Sequence, residues 1–308
     1  MFSVIFPGQG SQFVGMGSNF YEKYDLFKYY FNEADKILKF PLSKIILEGP
    51  KEELNLTENT QPAIFLVTYC IFKLVEEEFK LNLSNSIYFA GHSLGEYSAL
   101  SCAKSIDFDD AISLLNKRGK AMQSCVPNGR GGMLAVLGSN IESLEKIIIE
   151  SQLPCYIAND NSINQIVVSG LISDIKKLVE ILSEKKIKNL ILPVSAPFHC
   201  RLMRKATNVM KLEIDKIKFK NPVNPLISNV TGLPIKDPEQ LKNALIDQIE
   251  SRVRWRESVQ YMIEKKTNHF IEIGPGKILS NLIKRIDKNI KVSTINSEDD
   301  IRSLNIND

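Results

Sequence analysis

Apolar residues recur along the chain with two periods, and these divide it into strands and helices. The short apolar run "SVIF" predicts a buried strand that ends in the turn Pro7-Gly8-Gln9-Gly10-Ser11-Gln12. Two helical stretches follow, of which "QPAIFLVTYCIFKLVEEEF" is the stronger. Ile87, Tyr88, Phe89 and Ala90 then read as the end of a second buried strand, and Glu96 to Ala103 as a helix. A clearly periodic helix, "FDDAISLLNKRGKAMQ", comes next, and "VPNGRGG" (126–132) reads as a linker from its Pro and Gly content.

Beyond the linker the elements shorten. "MLAVLG", "CYIAN", "QIVVSG" and "NLILPV" predict strands, and "IESLEKIIIESQ" and "DIKKLVEILSEKK" predict helices. The resulting order, βαββαβ, is that of a ferredoxin-like unit over 127–195. It reads as an insertion, because strand–helix alternation resumes afterwards with "NPLISNV", "HFIEIG" and "KVSTIN". The expected class is α/β, with a core of largely parallel sheet built from 1–126 and 196–308.

Composition narrows the classes of function. The chain has 308 residues, 44% hydrophobic and 24% charged, with a net charge of +3, enough for one large or two moderate cores. So small and dispersed an excess of positive charge gives no reason to expect nucleic acid or an anionic membrane as partner. No segment holds the roughly 18 consecutive apolar residues of a membrane span, and "MFSVIFPGQG" has no basic segment of a signal peptide. Five cysteines without a C-x-x-C pair argue against a disulfide framework or a zinc site, and fit a reducing cytoplasm.

The chemistry centres on "GHSLG", residues 91–95. Between a strand and a helix, G-x-S-x-G is the nucleophile-elbow pattern, in which glycines permit a cramped turn that lifts the Ser93 hydroxyl above the sheet edge. The Leu94 amide, at the helix start, is then placed to donate to an oxyanion. A serine at neutral pH needs a base, and the chain offers three histidines. His92 adjoins Ser93, so its side chain should leave the turn on another side. His269 enters an apolar strand as a hydrogen-bonded core residue. His199, in the "SAPFHC" loop stiffened by Pro197, remains as the candidate base.

Arg118 is a third candidate. In the helix 107–122, Phe108, Ala111, Ile112, Leu115, Ala121 and Met122 form one apolar stripe, and Arg118 falls near its centre. A buried arginine is costly unless paired, and no carboxylate lies one turn away on that face. Its partner is either a distant Asp or Glu, or a carboxylate carried by the substrate and gripped by the guanidinium fork.

Together "FPGQGSQ", "GHSLGEYSAL", "RGKAMQ", "ANDNSINQIVVSG", "APFHC" and "EIGPG" resemble the malonyl-CoA:acyl carrier protein transacylase family of bacterial-type fatty acid synthesis, from about residue 4 to 286. The resemblance implies an α/β-hydrolase-like core with a ferredoxin-like insertion. It makes Ser93 the nucleophile, His199 the base, and Gln12 and Leu94 the donors of the oxyanion-hole amides. Arg118 would bind the malonyl carboxylate, and the Gln248 backbone carbonyl would orient His199, with no acidic third member. Asn161 matches a family asparagine near the site. Phe198 is similar to malonyl-selective members, where relatives that load bulkier units tend to carry serine. Ser251-Arg252 departs from the Asn-Pro often found before "VRW".

The implied substrates are malonyl-CoA and acyl carrier protein, with no metal, cofactor, nucleic acid or membrane, and a cytoplasmic location. Three rivals share some of these features. A serine hydrolase would usually add an acid between Ser93 and His199, where Asp160 and Asp174 lie in the inserted unit. A relative loading another extender unit would share the whole site. A docking scaffold would need none of Ser93, His199 or Arg118.

Overall fold

The structure, a computed structural model, describes residues 1–305 apart from 128 and 195. Ten strands form two sheets among these residues: β1 Phe2–Phe6, β2 Phe89–Gly91, β3 Gly131–Leu137, β4 Tyr156–Ser162, β5 Gln165–Leu171, β6 Lys188–Ile191, β7 Leu226–Ile227, β8 Pro234–Ile235, β9 His269–Ile273 and β10 Lys291–Ile295. The larger sheet runs β10-β9-β1-β2-β7-β8, parallel throughout except for the last pair. Its inner strands β1 and β9 are buried along their full length and are mostly apolar, with Ser3, His269 and Glu272 as their buried polar residues. Val4 and Phe6 face one core and Ile5 the other, with Trp255, Phe270 and Leu279.

The order in which the chain adds strands reverses about β1, whose parallel neighbours β2 and β9 lie on opposite sides. Parallel α/β sheets bind ligands at such a point, outside the carboxyl ends of the strands. Here Phe6 pairs with Gly91, so the turn after β1 and the elbow after β2 leave the sheet side by side.

The smaller sheet, β4-β5-β3-β6, is antiparallel. Helices Ile141–Ser151 and Ile172–Glu184 pack on it around Leu134, Val168, Leu144 and Leu178. The chain from β3 to β6 thus follows the expected order of strand, helix, strand, strand, helix, strand. Two expected boundaries move. Gly131 and Gly132, read as linker, open β3, because they pair with Leu171 and Gly170 across the ladder. The strand expected at 189–194 ends at Ile191.

Two helices carry site residues from outside the sheet. Thr57–Glu77 and Phe108–Gln123 cross so closely that a methyl group on Gly119 would lie 2.5 Å from the Thr57 carbonyl oxygen. Glycine at 119 therefore sets the approach that brings Gln61 beside Arg118. Among the described residues no helix is long and apolar enough to cross a membrane.

Candidate active site

The elbow is held in a conformation that the sequence alone makes costly. Ser93 has φ 53°, in the left-handed region, where a non-glycine residue is strained by about 1–3 kcal/mol. The flanking glycines are sterically required: a Cβ on Gly91 would lie 1.9 Å from the Gly95 carbonyl oxygen, and one on Gly95 2.3 Å from that of Phe6. Asn229, two residues beyond β7, locks the turn. Its Oδ1 accepts from the Ser93 amide at 2.7 Å and its Nδ2 donates to the Gly91 carbonyl at 2.6 Å.

Ser93 Oγ lies 2.7 Å from His199 Nε2. His199, also left-handed with φ 57°, has its Nδ1 2.9 Å from the backbone carbonyl of Gln248. A carbonyl can only accept, so Nδ1 carries the proton and Nε2 presents its lone pair to the serine hydroxyl. Burial and the nearby Arg118 cation push the His199 pKa down to about 3, so the ring is neutral and able to accept.

The other histidines go elsewhere. His92 turns away from the serine to Asn161, with Nε2 2.8 Å from Oδ1, beside the Trp255 ring. Asn161 thus touches the elbow through His92. His269 lies in β9, 2.9 Å from Ser293 Oγ. Asp160 is bound by Arg256 at 2.8 Å, and Asp174 pairs with Lys177 at 3.7 Å, so neither completes a triad with His199. Phe198 is buried against the core, its carbonyl accepting from Ser169 Oγ at 2.6 Å. Cys200, beside the base, is buried, and burial raises its thiol pKa to about 11.

Arg118 is 1% exposed, as its place on the apolar stripe required. Among the described residues no carboxylate lies within ion-pair distance of it. Its acceptors are neutral: Gln61 Oε1 at 2.9 Å, Gln248 Oε1 at 2.8 Å and Ser93 Oγ at 3.2 Å. The guanidinium packs over the Tyr97 ring at 5.6 Å, and its Nε, buried, has no hydrogen-bond partner among the described residues. Burial lowers its pKa, and Tyr97 and the more distant Glu96 carboxylate offset this only in part.

The turn after β1 lies against the elbow, where the His92 amide donates to the Phe6 carbonyl at 3.1 Å. Gln12 is anchored there by its own side chain, which bonds the Gly10 amide at 2.8 Å and Asn55 at 2.9 Å. Among the described residues neither the Gln12 nor the Leu94 amide donates to a protein acceptor. An open cleft of about 840 Å³ reaches His199, lined by Tyr156, Arg201, Arg204, Arg252 and Arg254 among others. Arg252, in the departure from Asn-Pro, bonds Glu257 at 3.2 Å and approaches Glu145 of the smaller unit at 3.7 Å.

Three residues at this centre were not singled out from the sequence: Gln61, Asn229 and Glu96. The Glu96 carboxylate is buried, accepting from Gln248 Nε2 at 2.5 Å and from the Asn229 amide at 3.3 Å. Burial pushes its pKa up to about 7.

A strained serine paired with a neutral histidine, beside free amides, suits acyl transfer, and the comparisons agree. The family model of the acyl transferase domain matches residues 3–300. A malonyl CoA-acyl carrier protein transacylase of Bacillus subtilis (strain 168) is 40% identical over 301 residues, 96% of this chain and 94% of that protein. An acyl-carrier-protein-S-malonyltransferase of Bartonella henselae superposes with a TM-score of 0.95 at 40% identity, covering 98% of both chains. A malonyl-transacylase solved in complex with its type II polyketide acyl-carrier protein gives 0.94 at 35% identity, again over 98% of both. The chain belongs to the acyl transferase domain family, in the group of malonyl CoA-acyl carrier protein transacylases.

Proposed function

We propose that the chain transfers the malonyl group of malonyl-CoA to the phosphopantetheine thiol of acyl carrier protein through a malonyl ester on Ser93, supplying extender units for fatty acid synthesis. His199 Nε2 takes the hydroxyl proton as Ser93 Oγ attacks the thioester carbonyl. The Gln12 and Leu94 amides receive the oxyanion, each such donor being worth about 10²–10³ in rate. The tetrahedral intermediate collapses with loss of the CoA thiolate, which takes the proton from His199. The carrier thiol then attacks the ester in the same manner and frees Ser93. The Gln248 carbonyl keeps His199 in the required tautomer, and the already activated thioester calls on no metal or cofactor.

The observation that carries this reading is the buried Arg118, with only neutral acceptors and a donor touching Ser93 Oγ. A carboxylate on the acyl group would complete it. Acetyl would leave it unpaired, so the site should discriminate strongly between the two. Phe198 and, through His92, Asn161 shape the acyl pocket. The arginine-lined cleft at His199 suits the phosphate-bearing arm of either thioester. The βαββαβ order over 127–195 supports a ferredoxin-like unit inserted into an α/β-hydrolase-like core of 1–126 and 196–308. We assign the enzyme to the cytoplasm.

The test is to incubate the protein with malonyl-CoA, digest it and weigh the peptide carrying Ser93. A malonyl adduct that carrier protein clears and water does not supports the transferase. Rapid release of free malonate would make it a hydrolase, and absence of an adduct would exclude both.

A further inference from the structure

Glu96 lies three residues after Ser93, its carboxylate is buried, and the reaction described above gives it no task. It is joined to Arg118 through one side-chain amide. Gln248 Nε2 donates to Glu96 Oε2 at 2.5 Å and to the Ser93 carbonyl at 2.9 Å, while Gln248 Oε1 accepts from Arg118 Nη2 at 2.8 Å. A primary amide turned end for end keeps almost the same shape, so its orientation has to be imposed. Here it is imposed from both sides, since a carboxylate accepts and a guanidinium only donates. Reversal would set the NH₂ group against the cation and the oxygen against the carboxylate, forfeiting two charge-assisted bonds in a dry site.

We propose that Glu96 is a positioning residue for the acid-binding arginine: by fixing the Gln248 amide it aims Arg118 Nη2 at Ser93, where the acyl carboxylate is received. This rests on Arg118 as the carboxylate binder. His199 stands outside the relay, because it is held by the Gln248 backbone carbonyl and not by the side chain. Loss of Glu96 therefore weakens substrate capture more than proton transfer. Filling space does not account for the residue, since an apolar side chain would do so without burying a carboxylate.

Acylation of Ser93 by malonyl-CoA, followed in single turnovers across a concentration range at mildly alkaline pH, tests the relay. Glu96→Gln keeps the shape and removes the charge. The half-saturating malonyl-CoA concentration should rise about tenfold, with the maximal rate changed by less than about threefold. In a double-mutant cycle, Glu96→Gln added to Arg118→Ala should cost nothing further, because its effect passes through the arginine. Gln248→Met retains the backbone carbonyl and should shift saturation the same way, which preserves the test if Glu96→Gln does not fold. Unchanged saturation, a fall confined to the maximal rate, or additive losses in the double variant would overturn the proposal. Wild-type saturation in Arg118→Ala alone would show instead that the assignment of the arginine had failed, and the relay with it.

Discussion

Arg118 Nη2 donates to Ser93 Oγ across 3.2 Å, so the cation that would hold an acyl carboxylate touches the atom that would carry the acyl group. In a malonyl ester only a methylene separates the ester carbonyl from the carboxylate. Substrate entry would replace the hydroxyl contact with an ionic one at almost the same place. The neighbouring glutamines hold the guanidinium from its other sides without neutralising it.

Loss of the proposed base, His199, should be costly. His199→Ala should slow acylation of Ser93 by about 10²–10⁴-fold, with the fold intact by circular dichroism. Acylation at the wild-type rate would remove His199 from that role.

The buried ionisable groups make opposite contributions to stability as pH changes. The His199 pKa is depressed to about 3 from 6.5, by burial and then by Arg118, so the folded state binds its proton less well than the unfolded chain. This group therefore withdraws stability as pH falls from 6.5 towards 3. Glu96 is raised from 4.5 to about 7 by burial, so the folded state holds its proton more tightly and stability is lost as pH rises through that window. Glu96→Gln lacks the second contribution. Its stability relative to wild type, from urea unfolding, should increase between pH 4.5 and 7, and a difference independent of pH would contradict the assignment.

Gly119→Ala should destabilise the protein by about 1–3 kcal/mol in urea unfolding, despite the better helix propensity of alanine. The added methyl meets the backbone of Thr57 and Glu58 at 2.5 Å, and backbone cannot swing aside. The displaced helices would also separate Gln61 from Arg118. A neutral or stabilising result would refute the close crossing.

Much of the site was legible because its signals are local. The elbow is a contiguous pattern, and Arg118 betrays itself by polarity within a 3.6-residue stripe. The roles expected for Gln12, Asn161, Phe198 and Gln248 came from family resemblance and not from their own spacing. Glu96 escaped notice although it lies next to the elbow motif. The helix Gly95–Cys102 is buried on every side, so no amphipathic contrast marks its one acid. The partners that make Glu96 tolerable, Asn229 and Gln248, are 133 and 152 residues away in sequence. The fold's alternation was readable for a similar reason. The start of β3 was not, because ladder pairing with 170 and 171 overrides the turn preference of Gly131 and Gly132.

The selectivity of Arg118→Ala decides whether a buried arginine whose hydrogen-bond acceptors are all neutral selects a carboxylated acyl group. Acylation rates of Ser93 from malonyl-CoA and acetyl-CoA are compared in wild type and variant. Loss of a bidentate charge-assisted pair should reduce malonyl transfer by about 10²-fold or more while acetyl transfer is kept or gained. An equal fall for both thioesters would contradict it.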